Sequence, residues 1–406
     1  MATSPPTIAR ERDAALDGLR GVAILLVLLA HMQLPPGGLP LDHAVYSARI
    51  AGSTGVDLFF VLSGFLITGV LLDALGDQHY FRNFYARRAL RTLPLYYGAV
   101  LFLLFVWPLI TPDGPAPLAA LRKEQWWYWL HATNVLSVLP GPWRSPYNTG
   151  HFWSLAVEEQ FYAVWPVVVL VCARRQWLMR VCAACVMTAF ALRLALALGG
   201  VSEKWIHQLP VTRMDTLAIG AALAVLARRP GGLAAYVVSA RRVLNVAAPV
   251  FAVLFAIYMT WHRAGPLFLS VGYSAAALAF GALLVVADGP LRGPFSHPLL
   301  RFFGKYSYGI YIIHFPLLPV IDWVAESAYA TPTLWGSALP GQVVFFAGGL
   351  AISTVPAVVL WYAYERPFLS LKRFFPRVST ARTARPRLLR PCCTPQAPGT
   401  HAPESG

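Results

Sequence analysis

The sequence predicts an all-α, polytopic integral membrane protein with about ten transmembrane helices, one re-entrant or interfacial segment and both termini in the cytoplasm. Three observations carry that prediction. Of the 406 residues, 57% are hydrophobic and 13% charged, against about 25% charged in a soluble domain. Apolar runs recur along most of the chain, each near the roughly 20 residues that cross a hydrocarbon core. The basic residues gather in short loops between those runs. The formal charge of +15 therefore reads as a topology signal, and nucleic acid is not expected as a partner. The mean hydropathy of +0.55 agrees, and thirteen Trp with seventeen Tyr suit girdles at the two membrane interfaces.

Taken in order, the apolar spans fall near 18–34, 54–75, 93–110, 152–172, 177–198, 213–227, 243–261, 266–287, 306–324 and 341–364. A further stretch at 126–139, WWYWLHATNVLSVL, is short and aromatic. Charge arbitrates its placement. Arg82, Arg87, Arg88 and Arg91 lie between the second and third spans, and an excess of Lys and Arg marks cytoplasmic loops. Arg10, Arg12 and Arg20 put the N-terminus on the same side. Were 126–139 to cross, the basic clusters at 174–175, 228–229, 241–242 and 292–305 would all lie outside; with that stretch re-entrant or interfacial, all lie inside. The second arrangement is the expectation. The external loops, 35–53, 111–151, 199–212 and 325–340, are then rich in Pro, Gly and aromatic residues.

Residues 1–12 form a polar cytoplasmic segment without a cleavable signal pattern. Residues 13–370 form one membrane domain, and 371–406 a basic, Pro-rich tail predicted to be disordered. The five cysteines lie in apolar stretches or in the tail and imply no disulfide framework. Cys182 and Cys185 have the spacing of a metal or redox pair. They sit in an all-apolar stretch without partners, so they read as packing residues.

This topology sorts the polar residues by depth. The stretch 17–34, DGLRGVAILLVLLAHMQL, carries Arg20 at its entrance and His31 eleven positions on. Eleven steps at about 100° return to nearly the same face, roughly 16 Å further along. Asp57 opens span two from the outer side, and Glu158 and Glu159 lie about two turns inside span four. An imidazole and carboxylates are thereby expected to meet in the outer half of a helix bundle, as intramembrane ionisable groups at a functional site do. The alternatives are a histidine satisfied in a packing contact, and carboxylates that only cap helix N-termini. At the cytoplasmic side Arg20, Arg82, Arg87, Arg88, Arg91, Glu365 and Arg366 gather. Such an arginine-lined mouth suits an anionic, phosphate-bearing ligand; contact with anionic lipid is the competing reading.

The motifs DGLRGVAILLVLLAH, GVDLFFVLSGFLIT, FYARRALRTLPLYY, WSLAVEEQFYAVWP, RMDTLAIGAALA, KYSYGIYIIHFPLL and YERPF occur in the order found in the membrane acyltransferase-3 family, which the chain resembles over about residues 13–370. That family includes bacterial O-antigen and exopolysaccharide O-acetylases and macrolide O-acyltransferases. The resemblance implies ten spans in a bacterial inner membrane. It implies transfer of an acyl group, usually acetyl, from a cytoplasmic coenzyme A thioester to a hydroxyl, often on a sugar. The arginine–ten–histidine signature falls on Arg20 and His31, the arginine pair on Arg88 and Arg91, the WSLxxE glutamate on Glu158, and the last-span glutamate on Glu365. The SYxxYxxH element falls on Ser307, Tyr308, Tyr311 and His314. The resemblance implies His31 as catalytic base and the arginines Arg20, Arg88 and Arg91 as coenzyme A contacts; Glu365, at the same surface, is placed with them in the acetyl-CoA site. Ser63, Tyr308, His314 and Trp153 are assigned to the substrate pocket. The C-terminal hydrolase-like domain of some sugar O-acetylases is not seen in the sequence, so loops alone are expected to bind the acceptor.

The chemistry fits those residue types. An alcohol is a poor nucleophile until a base takes its proton, and imidazole titrates near physiological pH. Glu158 or Asp57 is expected to orient His31, as a third group does in catalytic triads. A thioester is already activated, so neither a metal nor a redox cofactor is called for. Sequence leaves direct transfer and a covalent intermediate on His31 or Ser63 both open. The expected partners are the bilayer, the acyl-CoA donor and a carbohydrate acceptor such as surface polysaccharide or lipopolysaccharide. A macrolide or other small glycoside is the alternative acceptor, and a transporter or flippase role the alternative class, against which no inverted repeat is evident. A channel bounded by spans one, two and three and by the span that carries Glu158 is expected to join donor and acceptor sides. The topology makes a direct prediction: Asp113→Cys and Ser145→Cys should both react with an impermeant reagent from the outer side, whereas labelling from opposite sides would establish a further crossing at 126–139.

Overall fold

A computed structural model describes residues 7–32, 34, 36–110, 115–140, 149–260 and 265–376, and among these it is helical with no named strand. The main helices are α1 (Thr7–His31), α2 (Pro40–Ile50), α3 (Gly55–Asp73), α4 (Tyr80–Leu101), α5 (Pro115–Trp129), α6 (Thr133–Val138), α7 (Phe152–Val171) and α8 (Arg175–Leu198). They continue as α9 (Glu203–Gln208), α10 (Pro210–Leu226), α11 (Val237–Thr260), α12 (Tyr273–Ala287), α13 (Pro298–Ile313), α14 (Leu318–Tyr329) and α15 (Leu339–Leu360). Nine stretches among the described residues are long and apolar enough to cross a membrane. They coincide with nine of the ten expected spans.

The tenth expected span, 306–324, is not straight. It is built from α13 and α14, which meet at a bend of 102°. The cause is local: Pro316 has no N–H to continue α13 and disfavours helical backbone at Phe315, while Pro319 suits the first turn of α14. The stretch 126–139 is likewise broken. It comprises the end of α5 and all of α6, hinged at His131, whose φ is +50°. Neither helix, at 15 and 6 residues, is long enough to span. The hinge is held by Gln160, whose side-chain amide donates to the His131 carbonyl at 2.9 Å, and by Tyr96 and Tyr97, whose hydroxyls donate to Tyr128 and Trp129 carbonyls at 3.0 Å each. The His131 ring packs against both tyrosines, and burial pulls its pKa down to about 4, keeping it neutral.

Helical structure continues past residue 370. Residues 371–374 form a further helical turn, and Arg87 donates to the carbonyls of Lys372 (3.0 Å) and Phe375 (2.7 Å), tying 371–376 to α4. The rest of the expected tail, 377–406, lies outside the described residues. At the other end α1 already begins at Thr7.

Two backbone contacts set the bundle. A Cβ on Gly304 of α13 would lie 1.8 Å from the Asp17 carbonyl oxygen, and one on Gly21 of α1 would lie 2.0 Å from that of Leu300. Helices α3 and α10 repeat the device: Cβ atoms on Gly64 and Gly220 would each lie 2.0 Å from the facing backbone. Lipid tails are as apolar as the side chains, so close packing through small residues replaces the hydrophobic drive between helices. Around these contacts a core of Ile24, Val27, Leu28, Phe60, Val157, Ile310 and Phe345 joins α1, α3, α7, α13 and α15. Gly304→Ala should therefore lower stability in detergent by at least the roughly 1–3 kcal/mol of overpacking, because backbone cannot swing aside. Gly293→Ala, with nothing within 4 Å of its added Cβ, should leave the Tm unchanged; equal Tm values would refute the contact.

Candidate functional site

An open cavity of about 740 Å³, its mouth included, lies between α1, α3, α4, α7 and α13. Arg20, Arg88 and Arg91 mark one end. Ser63, Glu158 and Tyr308 lie along the middle, and Val56, Phe59, Ser154 and Tyr311 close the other end. The helix directions explain the grouping: α1, α4 and α13 enter from the arginine side, α3 and α7 from the opposite side. Span nine thus walls the cavity along with spans one, two, three and four. Spans one to four had been expected to bound it, and α13 enters through Tyr308, which had been assigned to the substrate pocket.

Glu158 is the hub of the middle section. Ser63 Oγ and the Tyr162 hydroxyl donate to its two carboxylate oxygens, each at 2.7 Å. Arg88 approaches the same carboxylate at 3.8 Å and lies 3.8 Å over the Tyr162 ring centroid, a cation–π contact. The Tyr308 hydroxyl donates to the Thr92 carbonyl at 2.6 Å. Arg20 donates to Asp17 at 2.8 Å, and Arg91 lies within Coulombic reach of Arg20, Arg88 and Glu365.

A second cavity, with about 900 Å³ of empty space, shares Ile67, Arg88 and Arg91 with the first and adds Arg87, Lys372, Asp73 and Asp77. Arg228 holds Asp73 through two bonds of 2.6 and 2.8 Å, which offsets one of its two acidic groups. The two cavities meet on opposite sides of these shared residues at the arginine end.

The histidines lie beyond the opposite end. His31 Nδ1 lies 3.0 Å from His314 Nε2. Arg49 donates to the Met32 carbonyl and, at 2.8 Å, to Gln342, so the end of α1 is fixed beside His31. The link to the cavity is Tyr311: its hydroxyl lies 2.5 Å from Ser154 Oγ in the cavity wall, and its carbonyl lies 2.8 Å from His314 Nδ1.

The expectation that His31, Asp57 and Glu158 meet is not met. Asp57 accepts from Arg213 on α10, and that guanidinium lies 4.6 Å over the Tyr273 ring. Beside it Arg193 bonds Asp215 (2.6 Å), Ser274 (2.7 Å) and the Thr212 carbonyl (2.5 Å). These four charges are buried and tie α3, α8, α10 and α12 together. His31 takes an imidazole, not a carboxylate, as its neighbour. His314, assigned to the substrate pocket, is 0% exposed with both ring nitrogens engaged, so it cannot touch substrate. Trp153 packs on His207 and Phe60 and does not line the cavity. Arg20, Arg88, Arg91, Ser63, Glu158 and Tyr308 do line it, while His31, Asp57 and Glu365 stand outside its lining. Sequence reasoning passed over Tyr162, Thr92, Arg193 and Arg213. A lone arginine within the apolar run ALRLALAL was the available signal for Arg193.

Residues 13–362 match the model of the acyltransferase-3 family, an acyltransferase domain, and the chain belongs to that family. Its apolar helices make it a multi-pass membrane member of that family. It is 27% identical over 372 residues to the peptidoglycan O-acetyltransferase OatA of Listeria monocytogenes, covering 84% of this chain and 55% of that protein. It is 32% identical over 343 residues to the putative peptidoglycan O-acetyltransferase YrhL of Bacillus subtilis, covering 79% and 50%. The chain thus spans about half the length of these curated relatives. No solved structure matches it.

The buried ion pairs make a prediction of their own. Arg213→Ala strands Asp57 as an uncompensated charge and should cost about 3–5 kcal/mol. Asp57→Leu combined with Arg213→Leu should recover most of that loss in thermal unfolding. A double variant as unstable as Arg213→Ala would show that the pair is not what holds these helices.

Proposed function

We propose that the chain moves an acyl group, acetyl above all, from a coenzyme A thioester to a hydroxyl of a carbohydrate in the bacterial envelope, across the inner membrane. The observation that carries this reading is the pair of adjoining cavities that share Arg88 and Arg91, basic at one mouth and ending at Tyr311, whose carbonyl contacts His314, at the other. Family membership and relatives named as peptidoglycan O-acetyltransferases support the acyl chemistry and a glycan acceptor.

Arg87, Arg88, Arg91 and Lys372 at the basic mouth are the groups for the phosphates of the donor, since a guanidinium forks onto phosphate with paired N–H donors. Excess Lys and Arg on that side argue that the mouth faces the cytoplasm, where acyl-CoA is made. The slender pantetheine arm then follows α3 and α13 past Ser63 and Tyr308. Glu158 shapes this wall: its two oxygens fix the Ser63 and Tyr162 hydroxyls and its charge balances Arg88. The acceptor comes from the other side. His31 takes the proton of its hydroxyl as the oxygen attacks the thioester carbon; the C–O bond forms, the C–S bond breaks, and the thiolate leaves with a proton.

His31→Ala should lower kcat by about 10²–10⁴-fold, the worth of a positioned base. Arg88→Ala and Arg91→Ala should raise the KM for acetyl-CoA about tenfold or more, since a bond to a charged group contributes about 1.5–3 kcal/mol. Sealed, oriented proteoliposomes with acetyl-CoA only at the basic mouth and an impermeant sugar acceptor only on the opposite side decide the direction. Acetylated sugar on the acceptor side supports the reading; product formed only when both substrates share one side overturns it.

A further inference from the structure

A histidine that acts as base must present one bare nitrogen, and its neighbours decide which. His314 Nδ1 lies 2.8 Å from the Tyr311 carbonyl oxygen and 3.2 Å from that of Ile310. Carbonyls only accept, so this nitrogen carries a hydrogen. In a neutral imidazole the other nitrogen is then an acceptor, and that atom, His314 Nε2, faces His31 Nδ1 at 3.0 Å. His31 Nδ1 therefore donates, and His31 Nε2 keeps its lone pair. The ring planes are 24° apart with centroids 5.2 Å apart. With nitrogens at 3.0 Å, the rings meet edge to edge, as an N–H···N bond requires.

We infer that His314 is a positioning residue that fixes His31 in the tautomer whose Nε2 is the base, taking the place a carboxylate holds in other acid–base chains. The inference rests on the reading of His31 as base. His314 acts only through His31: it is fully buried and both its nitrogens are spoken for. When Nε2 of His31 takes the hydroxyl proton, the ring becomes imidazolium and its Nδ1–H bond to His314 becomes charge-assisted. That bond strengthens as charge develops, which is the kind of interaction that raises kcat. The proton has nowhere further to go along the chain, because the hydrogen on His314 Nδ1 ends on the Tyr311 carbonyl. His31 returns it through the same Nε2 to the departing thiolate, so the hydroxyl hydrogen ends on sulfur while the C–O bond replaces the C–S bond.

His314→Leu removes the acceptor. His314→Gln puts an amide oxygen about where Nε2 stood. His314→Leu should lower kcat about 10- to 100-fold, the worth of one hydrogen bond to a charged group, with the acetyl-CoA KM within about twofold of wild type. His314→Gln should regain most of the lost rate. In the wild-type protein in nanodiscs, ¹⁵N-histidine NMR should show His31 with its hydrogen on Nδ1, and this signature should be lost in His314→Leu. A wild-type His31 carrying its hydrogen on Nε2 overturns the inference, as does full activity in His314→Leu or a folded His314→Gln no faster than His314→Leu. Should His31→Ala keep full activity, the base assignment fails by itself, and the NMR result still tests whether His314 sets the tautomer.

Discussion

The approach of α1 to α13, backbone against backbone, is the constraint on which the site depends. The helices run parallel and touch where Gly21 and Gly304 leave no room for a side chain. From Gly21 to His31 is ten residues, and from Gly304 to His314 is ten residues. Two helices of equal rise therefore carry both imidazoles to the same level, roughly 15 Å from the contact. Arg20, beside Gly21, stays at the cavity's basic end. A larger residue at either glycine would separate the helices and slide one histidine past the other, so the packing of the bundle and the alignment of its chemistry have a common origin.

Charge is distributed by the same economy of contacts. An ion taken out of water must be paired closely or it destabilises the fold. Asp57 with Arg213, and Asp215 with Arg193, are buried pairs that stand outside the cavity lining. Arg88 and Glu158 are different: they stand 3.8 Å apart on a cavity wall, and each makes further contacts with Tyr162. The buried pairs hold α3, α8 and α10 in register, and that scaffold presents the open pair to the cavity. Placing Asp57 in the first group and Glu158 in the second leaves no carboxylate beside His31, which explains why a second imidazole stands there.

The apolar periodicity made nine spans legible, because length and hydropathy are local properties. The cavity arginines and Glu158 were legible too, since a charge in an apolar run has few innocent explanations. Pairing was not. Asp57 and Arg213 are separated by 156 residues, and nothing local distinguishes an aspartate that caps a helix from one that meets a distant guanidinium. His314 was assigned to the pocket as the last residue of the SYxxYxxH element; only the three-dimensional contact shows that both its nitrogens are already used. Trp153 failed for the converse reason, its ring being large enough to be consumed by packing.

The break in the ninth span completes the account of the histidines. A helix C-terminus leaves carbonyls without helical partners. Pro316 has no N–H, so the carbonyl four residues earlier, that of Ile312, cannot be bonded in the helical way; His151 Nε2 stands 3.3 Å from it. The Tyr311 carbonyl lies in the same last turn and takes the hydrogen of His314 Nδ1. Two orphaned carbonyls are thus met by two imidazoles, from α13 itself and from the residue before α7. A carbonyl has two lone pairs, and that of Ile310 already takes the backbone N–H of His314 with His314 Nδ1 3.2 Å away. The end of α13 thus gathers carbonyl oxygens around His314 Nδ1, and through that nitrogen they bear on the bare nitrogen of His31.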